Sequence, residues 1–209
     1  MNQRKNDILE QARQLFNRTG TYSVSTRDIS NALGISQGNL TYHFPHKSAI
    51  VERLYTQMNQ ELEAIRQETI PHPISLTNLF IWTRKQQCIQ KKYQFIWLDM
   101  ARLRKDHSEI DGHFSALIEG QRQQFPFLIA ALADRGTIRA GLSPATIALL
   151  FEQILILGNF WLQAHAVMGD LHPSEISYLQ IALGPLLPYL TQAGESEWSA
   201  LSAVTWSQE

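Results

Sequence analysis

Residues 25–44, with the sequence STRDISNALGISQGNLTYHF, contain two short helical patterns separated by Gly34. Asp28 follows Ser25 at a distance of three residues, and this spacing predicts a capping box at the start of a helix. That helix is expected to begin at Thr26. Gly34 then lies where a left-handed residue ends a helix, a conformation that glycine adopts without steric cost. The chain therefore has to make a sharp turn within a short segment.

A second short helix is expected directly after this turn. Ser36 can cap it, while Leu40 and Phe44 fall on its inward face. The side chains left outside are small or uncharged hydrogen-bonding groups, namely Gln37, Gly38, Asn39, Thr41, Tyr42 and His43. In a helix-turn-helix, the second helix presents such groups to base edges in the major groove, while the first helix crosses the DNA backbone. An ordinary helical corner is the alternative, because short turns with glycine are common.

The same residues resemble the signature of a known family, the TetR-like (AcrR-like) bacterial transcription regulators. The resemblance rests on TRDI at 26–29, on GISQGNLTYHF at 34–44 and on the nearby Lys47, and it extends over roughly residues 6–54. Thr41 departs from the aromatic residue that is common in the family, and Pro45 is less usual than a small or polar residue. The resemblance implies an all-α homodimer that binds operator DNA and a small effector.

The helix-turn-helix pattern and the resemblance together predict which residues contact double-stranded DNA. Hydroxyl, amide and guanidinium groups at a helix start can reach phosphates, as can a lysine just past the second helix. Gln37, Asn39 and Thr41 are the candidates for base recognition, and Gly38 leaves room for close approach. The predicted DNA-binding residues are Thr26, Arg27, Ser36, Gln37, Gly38, Asn39, Thr41, Tyr42, His43 and Lys47.

The charge distribution agrees with a polyanionic partner for the N-terminal part. The whole chain of 209 residues has a formal net charge of −1, which alone argues against nucleic acid. Residues 1–53, however, hold seven Lys or Arg against four Asp or Glu, and the remainder holds 11 against 15. A basic head on an acidic body would orient the molecule on DNA through salt-dependent phosphate contacts.

Helical periodicity runs through almost the whole sequence, so the chain is predicted to be all-α, with an N-terminal helix-turn-helix domain and a C-terminal helical domain. We expect a DNA-binding domain at 1–47, a connecting helix at 48–70 and a ligand-binding and dimerisation domain at 71–193. The Pro71-His72-Pro73 motif should end the connecting helix. The polar tail at 194–209 is expected to be flexible, unless its two tryptophans, Trp198 and Trp206, pack it onto the body.

Residues 144–168 form a helical pattern that is apolar nearly all round, which a surface helix of a monomer would not be. We expect one face to pair with a second chain in a homodimer; a central core helix of a monomer is the alternative. The predicted interface residues are Ile147, Leu150, Ile154, Leu157 and Trp161. The charge-free run QILILGNFWLQAHAVMG at 153–169 contains polar residues and is shorter than the roughly 20 apolar residues of a membrane span. No membrane partner is therefore expected.

Aromatic and soft side chains concentrate in the middle of the C-terminal part, together with a few polar groups. Such a mixture is typical of a small-molecule site, and a small apolar or amphipathic effector is expected. The predicted cavity residues are Phe80, Trp82, Arg84, Phe95, Trp97, Met100, His113, Phe114, Phe127 and Asn159. Plain core packing is the alternative for each of them.

The sequence offers no positive sign of catalysis, of a cofactor or of a metal site. The seven histidines do not fall at ligand spacing, and no phosphate-binding glycine loop or nucleophile elbow occurs. The single cysteine, Cys88, excludes an intramolecular disulfide and is expected to be a small core residue. No secretion signal opens the sequence, so a cytoplasmic location is expected.

These observations lead to one functional hypothesis. We expect a ligand-responsive transcriptional repressor that binds a palindromic operator as a homodimer. Three alternatives remain open at this point: a transcriptional activator, a constitutive DNA-binding or adaptor module without an effector, and a helical enzyme with an attached DNA-binding head.

Overall fold

The computed structural model describes residues 3–69, 74–169 and 178–203 of the chain. Within these residues the secondary structure is helical, and an isolated bridge joins Ile138 to Leu190. The helices, in chain order, are α1 (Gln3–Thr19), α2 (Thr26–Ala32), α3 (Gln37–His43), α4 (Lys47–Thr69), α5 (Leu76–Lys92), α6 (Gln94–Leu98), α7 (Met100–Asp106), α8 (Ser108–Asp134), α9 (Pro144–Met168), α10 (Tyr178–Leu183), a 3-10 helix (Gly184–Tyr189) and α11 (Gln192–Ser202). The predicted all-α class is confirmed.

The chain divides into two compact units. Unit 1 consists of residues 1–62 and 89–115, and unit 2 consists of residues 63–88 and 116–209. The divisions fall within α4, α5 and α8. Packing therefore groups part of the C-terminal sequence with the N-terminal helices. The domain limits expected from the sequence divide the chain by expected function and not by packing. They stay a prediction.

Unit 1 is built around the buried face of α1. The buried residues of this face recur at helical spacing, and they pack against α2 and α6. The ring of Phe16 lies against that of Phe95, with centroids 5.2 Å apart. Side chains in this unit with less than 2 % exposure include Ile8, Phe16, Ile29, Leu40, Ile50, Leu54, Phe95, Ile96 and Leu103. The helix-turn-helix is therefore fixed to a continuous apolar core.

Unit 2 encloses a second apolar core. The buried cluster draws on α5, α8, α10 and the 3-10 helix, and it includes Leu76, Phe80, Leu132, Leu183 and Leu186. Trp198 of α11 stands edge-on to Phe80, with ring centroids 5.0 Å apart. Glu197 accepts hydrogen bonds from the backbone N–H and the hydroxyl of Thr77, which satisfies an exposed donor in the first turn of α5. The C-terminal helix is thus part of this core.

For residues 194–203 this arrangement replaces the expected flexible tail with the alternative, in which a tryptophan packs the segment onto the body. Residues 192–202 form a helix capped by Thr191, and Trp198 is buried. The sequence suggested disorder because small polar residues dominate, whereas the burial of one indole ring anchors the helix. Trp206 lies outside the described residues.

Asp99 separates α6 from α7, and Pro126 lies inside α8. Cys88 is exposed, so its assignment to the core is wrong. The break predicted at Pro71-His72-Pro73 lies outside the described residues.

Gly194 is a point at which the fold leaves no space for a side chain. A Cβ atom there would lie 2.0 Å from the carbonyl oxygen of Thr137, and both atoms of that contact belong to rigid parts of the structure. We expect Gly194→Ala to destabilise unit 2 by about 1–3 kcal/mol, typical of overpacking, and to lower the melting temperature by several degrees. Thermal unfolding followed by circular dichroism measures this.

Gly120→Ala is the matched control, because Gly120 lies within α8 and a Cβ atom there meets nothing within 4 Å. Alanine also favours the helix by roughly 1 kcal/mol over glycine, so this variant should melt at the wild-type temperature or above it. Equal melting temperatures for wild type and Gly194→Ala would contradict the packing described for α11.

Candidate nucleic-acid interface and ligand cavity

The start of α2 is held by a capping box. The backbone N–H of Asp28 donates to the Ser25 hydroxyl at 3.2 Å, and the Asp28 carboxylate accepts from the Ser25 backbone N–H at 2.8 Å and from its hydroxyl at 2.6 Å. These hydrogen bonds to Ser25 lower the pKa of Asp28. The structure confirms the cap and the first helical residue that the sequence predicted.

The turn between α2 and α3 depends on Gly34. Its φ of 64° lies in the left-handed region, where a residue with a Cβ atom is strained. The Gly34 N–H donates to the carbonyl of Asn31, and the Ile35 N–H donates to that of Ser30. Ser36 then caps α3 by accepting from the N–H of Asn39 at 3.1 Å. These local bonds fix the entry angle of the second helix.

The inward and outward faces of α3 divide as the sequence predicted. Leu40 has no exposed surface and Phe44 is buried, so the apolar side faces unit 1. Gln37, Gly38, Asn39 and Thr41 are exposed, His43 is half-buried, and the Tyr42 side chain is 85 % exposed. The exposed face consists of uncharged groups that can form hydrogen bonds, which is the chemistry that reads base edges.

Gln37 also joins α3 to α2. Its amide nitrogen donates to the Thr26 hydroxyl at 2.9 Å, and its amide oxygen accepts from the Ser30 hydroxyl at 3.2 Å. The sequence suggested base recognition for Gln37 and a phosphate contact for Thr26. In the structure the two side chains also set the angle between the two helices.

Lys47 lies at the first residue of α4 and has internal partners. Its ammonium group donates to the carbonyls of Thr21 and Val24, both at 3.0 Å. Those carbonyls belong to the loop between α1 and α2, so Lys47 holds this loop in place. An ammonium group has three N–H donors, so one remains for a DNA phosphate. Arg27, the other predicted cationic contact, is exposed on the first turn of α2.

A cavity of about 640 Å³ opens within unit 2. Its volume falls in the range of small-molecule sites. The lining is largely apolar with several polar side chains, and consists of Arg66, Ile74, Leu79, Trp82, Thr83, Gln86, Gln121, Gln124, Phe125, Phe127, Leu128, Ala131, Phe151, Ile154, Leu155, Gly158, Asn159, Tyr178, Ala182, Leu183 and Leu186.

Three of the ten predicted ligand-site residues line this cavity: Trp82, Phe127 and Asn159. Phe127 is 76 % exposed, which places it at the rim. Phe80 packs in the core of unit 2 against Trp198, and Arg84 is half-buried on α5 without lining the cavity.

The other five predicted residues belong to unit 1 and do not line the cavity, which corrects that part of the prediction. They are Phe95, Trp97, Met100, His113 and Phe114. Phe95, Trp97 and Met100 are buried core residues. The His113 ring contacts the Tyr55 hydroxyl at 3.0 Å, and the Arg104 guanidinium stacks 4.9 Å from the Phe114 ring centroid.

Sequence reasoning missed most of the polar lining, notably Arg66, Gln86, Gln121 and Gln124. A usable signal was nevertheless present. Residues three, four or seven apart share a helix face, so Trp82 predicts Gln86 beside it on α5. No comparable signal connects different helices, because their contacts depend on the tertiary packing.

The face of α9 that the sequence assigns to the dimer interface packs inside unit 2, and a different apolar face is exposed. Ile147, Ile154 and Trp161 pack against the core of unit 2, Leu150 is buried and Leu157 is half-buried. The predicted interface stripe is therefore the inward one. The outward stripe contains the exposed side chains Leu149, Ile156, Phe160, Val167 and Met168.

The rest of the described chain leaves the outward stripe of α9 largely uncovered. By length and composition the helix could cross a membrane, and 11 % of its most apolar window is buried within the described chain. Residues 149, 156, 160 and 167 recur at helical spacing, so they form one continuous face. Because large apolar faces on soluble proteins mark interaction sites, this face is a candidate for contact with another chain.

The Lys47 ammonium group donates two hydrogen bonds to the loop between α1 and α2, and removing them tests whether Lys47 supports the helix-turn-helix. We expect Lys47→Ala to loosen residues 21–44 in the absence of DNA, because two carbonyls lose a charged donor, at a cost of about 1–3 kcal/mol. Hydrogen–deuterium exchange should become faster in this segment. Lys5→Ala is the control, because Lys5 is exposed on α1. Unchanged exchange in Lys47→Ala would contradict a supporting role.

Comparison with solved structures shows the same fold in other proteins. A TetR-family transcriptional regulator from Marinobacter aquaeolei VT8 has a TM-score of 0.84 and 22 % identity, over 95 % of this chain and 96 % of that one. A chain from Saccharomonospora viridis in complex with choline has a TM-score of 0.71 and 19 % identity, over 92 % and 100 %. SmeT in complex with triclosan has a TM-score of 0.56 and 19 % identity, over 91 % and 93 %.

Family profiles match nearly the whole sequence, although no curated protein matches it significantly. The profile described as bacterial regulatory proteins of the tetR family covers residues 8–54. A second profile, described as a bacterial transcriptional repressor, covers residues 53–197. The first contains the helix-turn-helix and the second contains the cavity and α9. The chain therefore belongs to the TetR family, and it is a DNA-binding transcriptional regulator.

Proposed function

We propose that this regulator is a ligand-responsive repressor that binds a palindromic operator as a homodimer in the cytoplasm. The observation that carries the proposal is the exposed, uncharged face of α3 above the buried Leu40. The cavity in unit 2 supports a small effector, and the outward stripe of α9 supports a dimer. No enzymatic activity, cofactor or metal ion is part of the proposal.

Base recognition is assigned to the exposed face of α3. Asn39 is exposed, and its side chain forms no hydrogen bond within the described residues, so its amide is available to a base edge. Thr41 contributes through its methyl group as well, because its hydroxyl donates to the carbonyl of Gln37. Gln37 combines a base contact with its bonds to α2. Tyr42 and His43 contact the flanking backbone, as do Thr26, Arg27, Ser36 and Lys47.

The homodimer is assigned to the outward stripe of α9. Two α9 helices and their neighbours would pack as a four-helix interface. Gln153 is exposed on the same face, and this polar group suits a protein interface better than lipid. A two-fold dimer presents two α3 helices about 34–36 Å apart, and this spacing fits half-sites one DNA turn apart.

The switch is assigned to a difference in effector affinity between two arrangements of the dimer. A ligand shifts this equilibrium only by as much as it prefers one arrangement. The helix α4 is continuous over Lys47–Thr69 and is about 34 Å long, so it can carry a displacement along its length. Solved relatives that hold choline and triclosan support a small-molecule effector here. A cavity of about 640 Å³ also favours an effector over a constitutive adaptor.

Selection of bound sequences from random DNA, repeated with a panel of small metabolites, tests the proposal as a whole. We expect two inverted half-sites with centres about one helical turn apart, and weaker enrichment in the presence of an effector. A single asymmetric site would contradict the dimer. Enrichment that no metabolite changes would favour a constitutive regulator.

Asn39→Ala tests the recognition face. We expect it to relax selection at one base pair per half-site and to weaken binding to the selected operator by about 1–3 kcal/mol, since one bidentate contact is lost. Binding to random DNA should stay unchanged, because phosphate contacts dominate there. Titration of both DNAs by fluorescence anisotropy measures the difference. Equal losses on both DNAs would contradict a role in base recognition.

Phe160→Glu tests the interface. The Phe160 side chain lies in the middle of the outward stripe and is 50 % exposed in the isolated chain. In a dimer it would be covered, so an unpaired carboxylate there should drive the protein towards its monomer mass of 23.9 kDa. Ala193→Glu, at an exposed position in the first turn of α11, is the control. Light scattering measures the molar mass of each protein in solution. A monomeric wild type would contradict the assignment of the interface.

A further inference from the structure

The charged group in the cavity lining is a cation paired with a neighbouring carboxylate. Among its described lining residues Arg66 is the one charged side chain, and none is Asp or Glu. The Arg66 side chain is 50 % exposed, and its Nε and Nη2 atoms donate to the Glu63 carboxylate at 2.8 and 2.7 Å. The hydrogen bond to Glu63 also raises the pKa of Arg66, so the group remains protonated. Its other N–H groups have no partner among the described residues.

Three glutamines add neutral hydrogen-bonding groups to the same cavity. The side chains of Gln86, Gln121 and Gln124 line it and form no hydrogen bonds within the described residues. Each amide offers two N–H donors and one carbonyl acceptor. Unused amides that line the same cavity as a guanidinium are suited to the oxygen atoms of a ligand, which accept several hydrogen bonds at once.

The remaining lining residues favour a ligand that is apolar over most of its length. Trp82, Phe125, Leu128 and Leu183 present ring and aliphatic surface to the cavity. A cation could gain a contact with the aromatic faces, worth roughly 0.5–2 kcal/mol. It would find no free carboxylate in the lining to balance its charge, because the neighbouring Glu63 carboxylate is already bound to Arg66.

We propose that the cavity takes an apolar molecule that ends in a carboxylate, with Arg66 as the contact that reads its charge and the glutamines as the contacts that hold its oxygen atoms. This inference rests on the proposed function, since it names the chemical class of the effector. It assigns specificity for anions over cations to a single side chain on α4.

A matched set of three probes tests this selectivity. The probes share a phenylalkyl body and differ in the head group: 6-phenylhexanoate, 6-phenylhexanamide and (5-phenylpentyl)trimethylammonium. Isothermal titration calorimetry on the full-length protein measures their affinities. We expect the carboxylate to bind at least about tenfold more tightly than the cation, and the carboxamide to lie between them.

The variant Arg66→Gln separates the charge contact from the apolar fit. It should weaken carboxylate binding about tenfold and leave carboxamide binding unchanged, and the second result also shows that the cavity is intact. Arg135→Gln is the control, because Arg135 is an exposed arginine of the same unit that does not line the cavity. It should change neither affinity.

Three results would overturn the inference: a cation that binds as tightly as the carboxylate, a carboxylate affinity that Arg66→Gln leaves unchanged, or failure of all three probes to bind. Operator binding, measured in parallel by anisotropy, tests the proposed function separately. A carboxylate that binds through Arg66 without changing operator affinity would support the ligand class and contradict the effector role.

Discussion

The constraint on which the DNA-binding part depends is the shortness of α3. A helix of seven residues forms fewer hydrogen bonds than it needs to persist alone, so its shape must come from its surroundings. Ser36 caps its start, Leu40 anchors its inner face, and Gln37 bonds it to Thr26. Because Ser36 and Leu40 use one end and the inner side, most of the outer face stays free for DNA. Gln37 is the exception, since it lies on the exposed face and also bonds to α2.

A related division of roles applies to α9. Its two apolar stripes are offset by two residues, which is a rotation of about 200° around the helix. One stripe, with Ile154 and Trp161, completes the core of unit 2. The other, with Ile156 and Phe160, has no cover in the isolated chain. The same helix that closes the fold can therefore join two chains, and a dimer in turn gives the two recognition helices a fixed spacing.

Sequence alone predicted the features that depend on local contacts. The Ser25–Asp28 cap, the left-handed Gly34 and the buried Leu40 follow from residues a few positions apart, whose geometry any helix shares. The cavity was harder, since Trp97 and Trp82 look alike in composition but belong to different units. Which stripe of α9 faces inward was also hidden, because both have the same spacing and similar hydrophobicity. Tertiary packing decides such cases, and it leaves little trace in a single sequence.

The proposed ligand chemistry gives α4 a direct role in ligand binding. Arg66 lies in its last turns, where Glu63 already binds the guanidinium, so a ligand carboxylate would share or replace that partner. Lys47 lies at the other end of the same helix and holds the loop before α2. Any free energy that couples the two ends is reciprocal, so operator binding must change ligand affinity by the same factor. A strong coupling would require a ligand that rearranges the Glu63–Arg66 pair, because filling an unchanged cavity favours neither state.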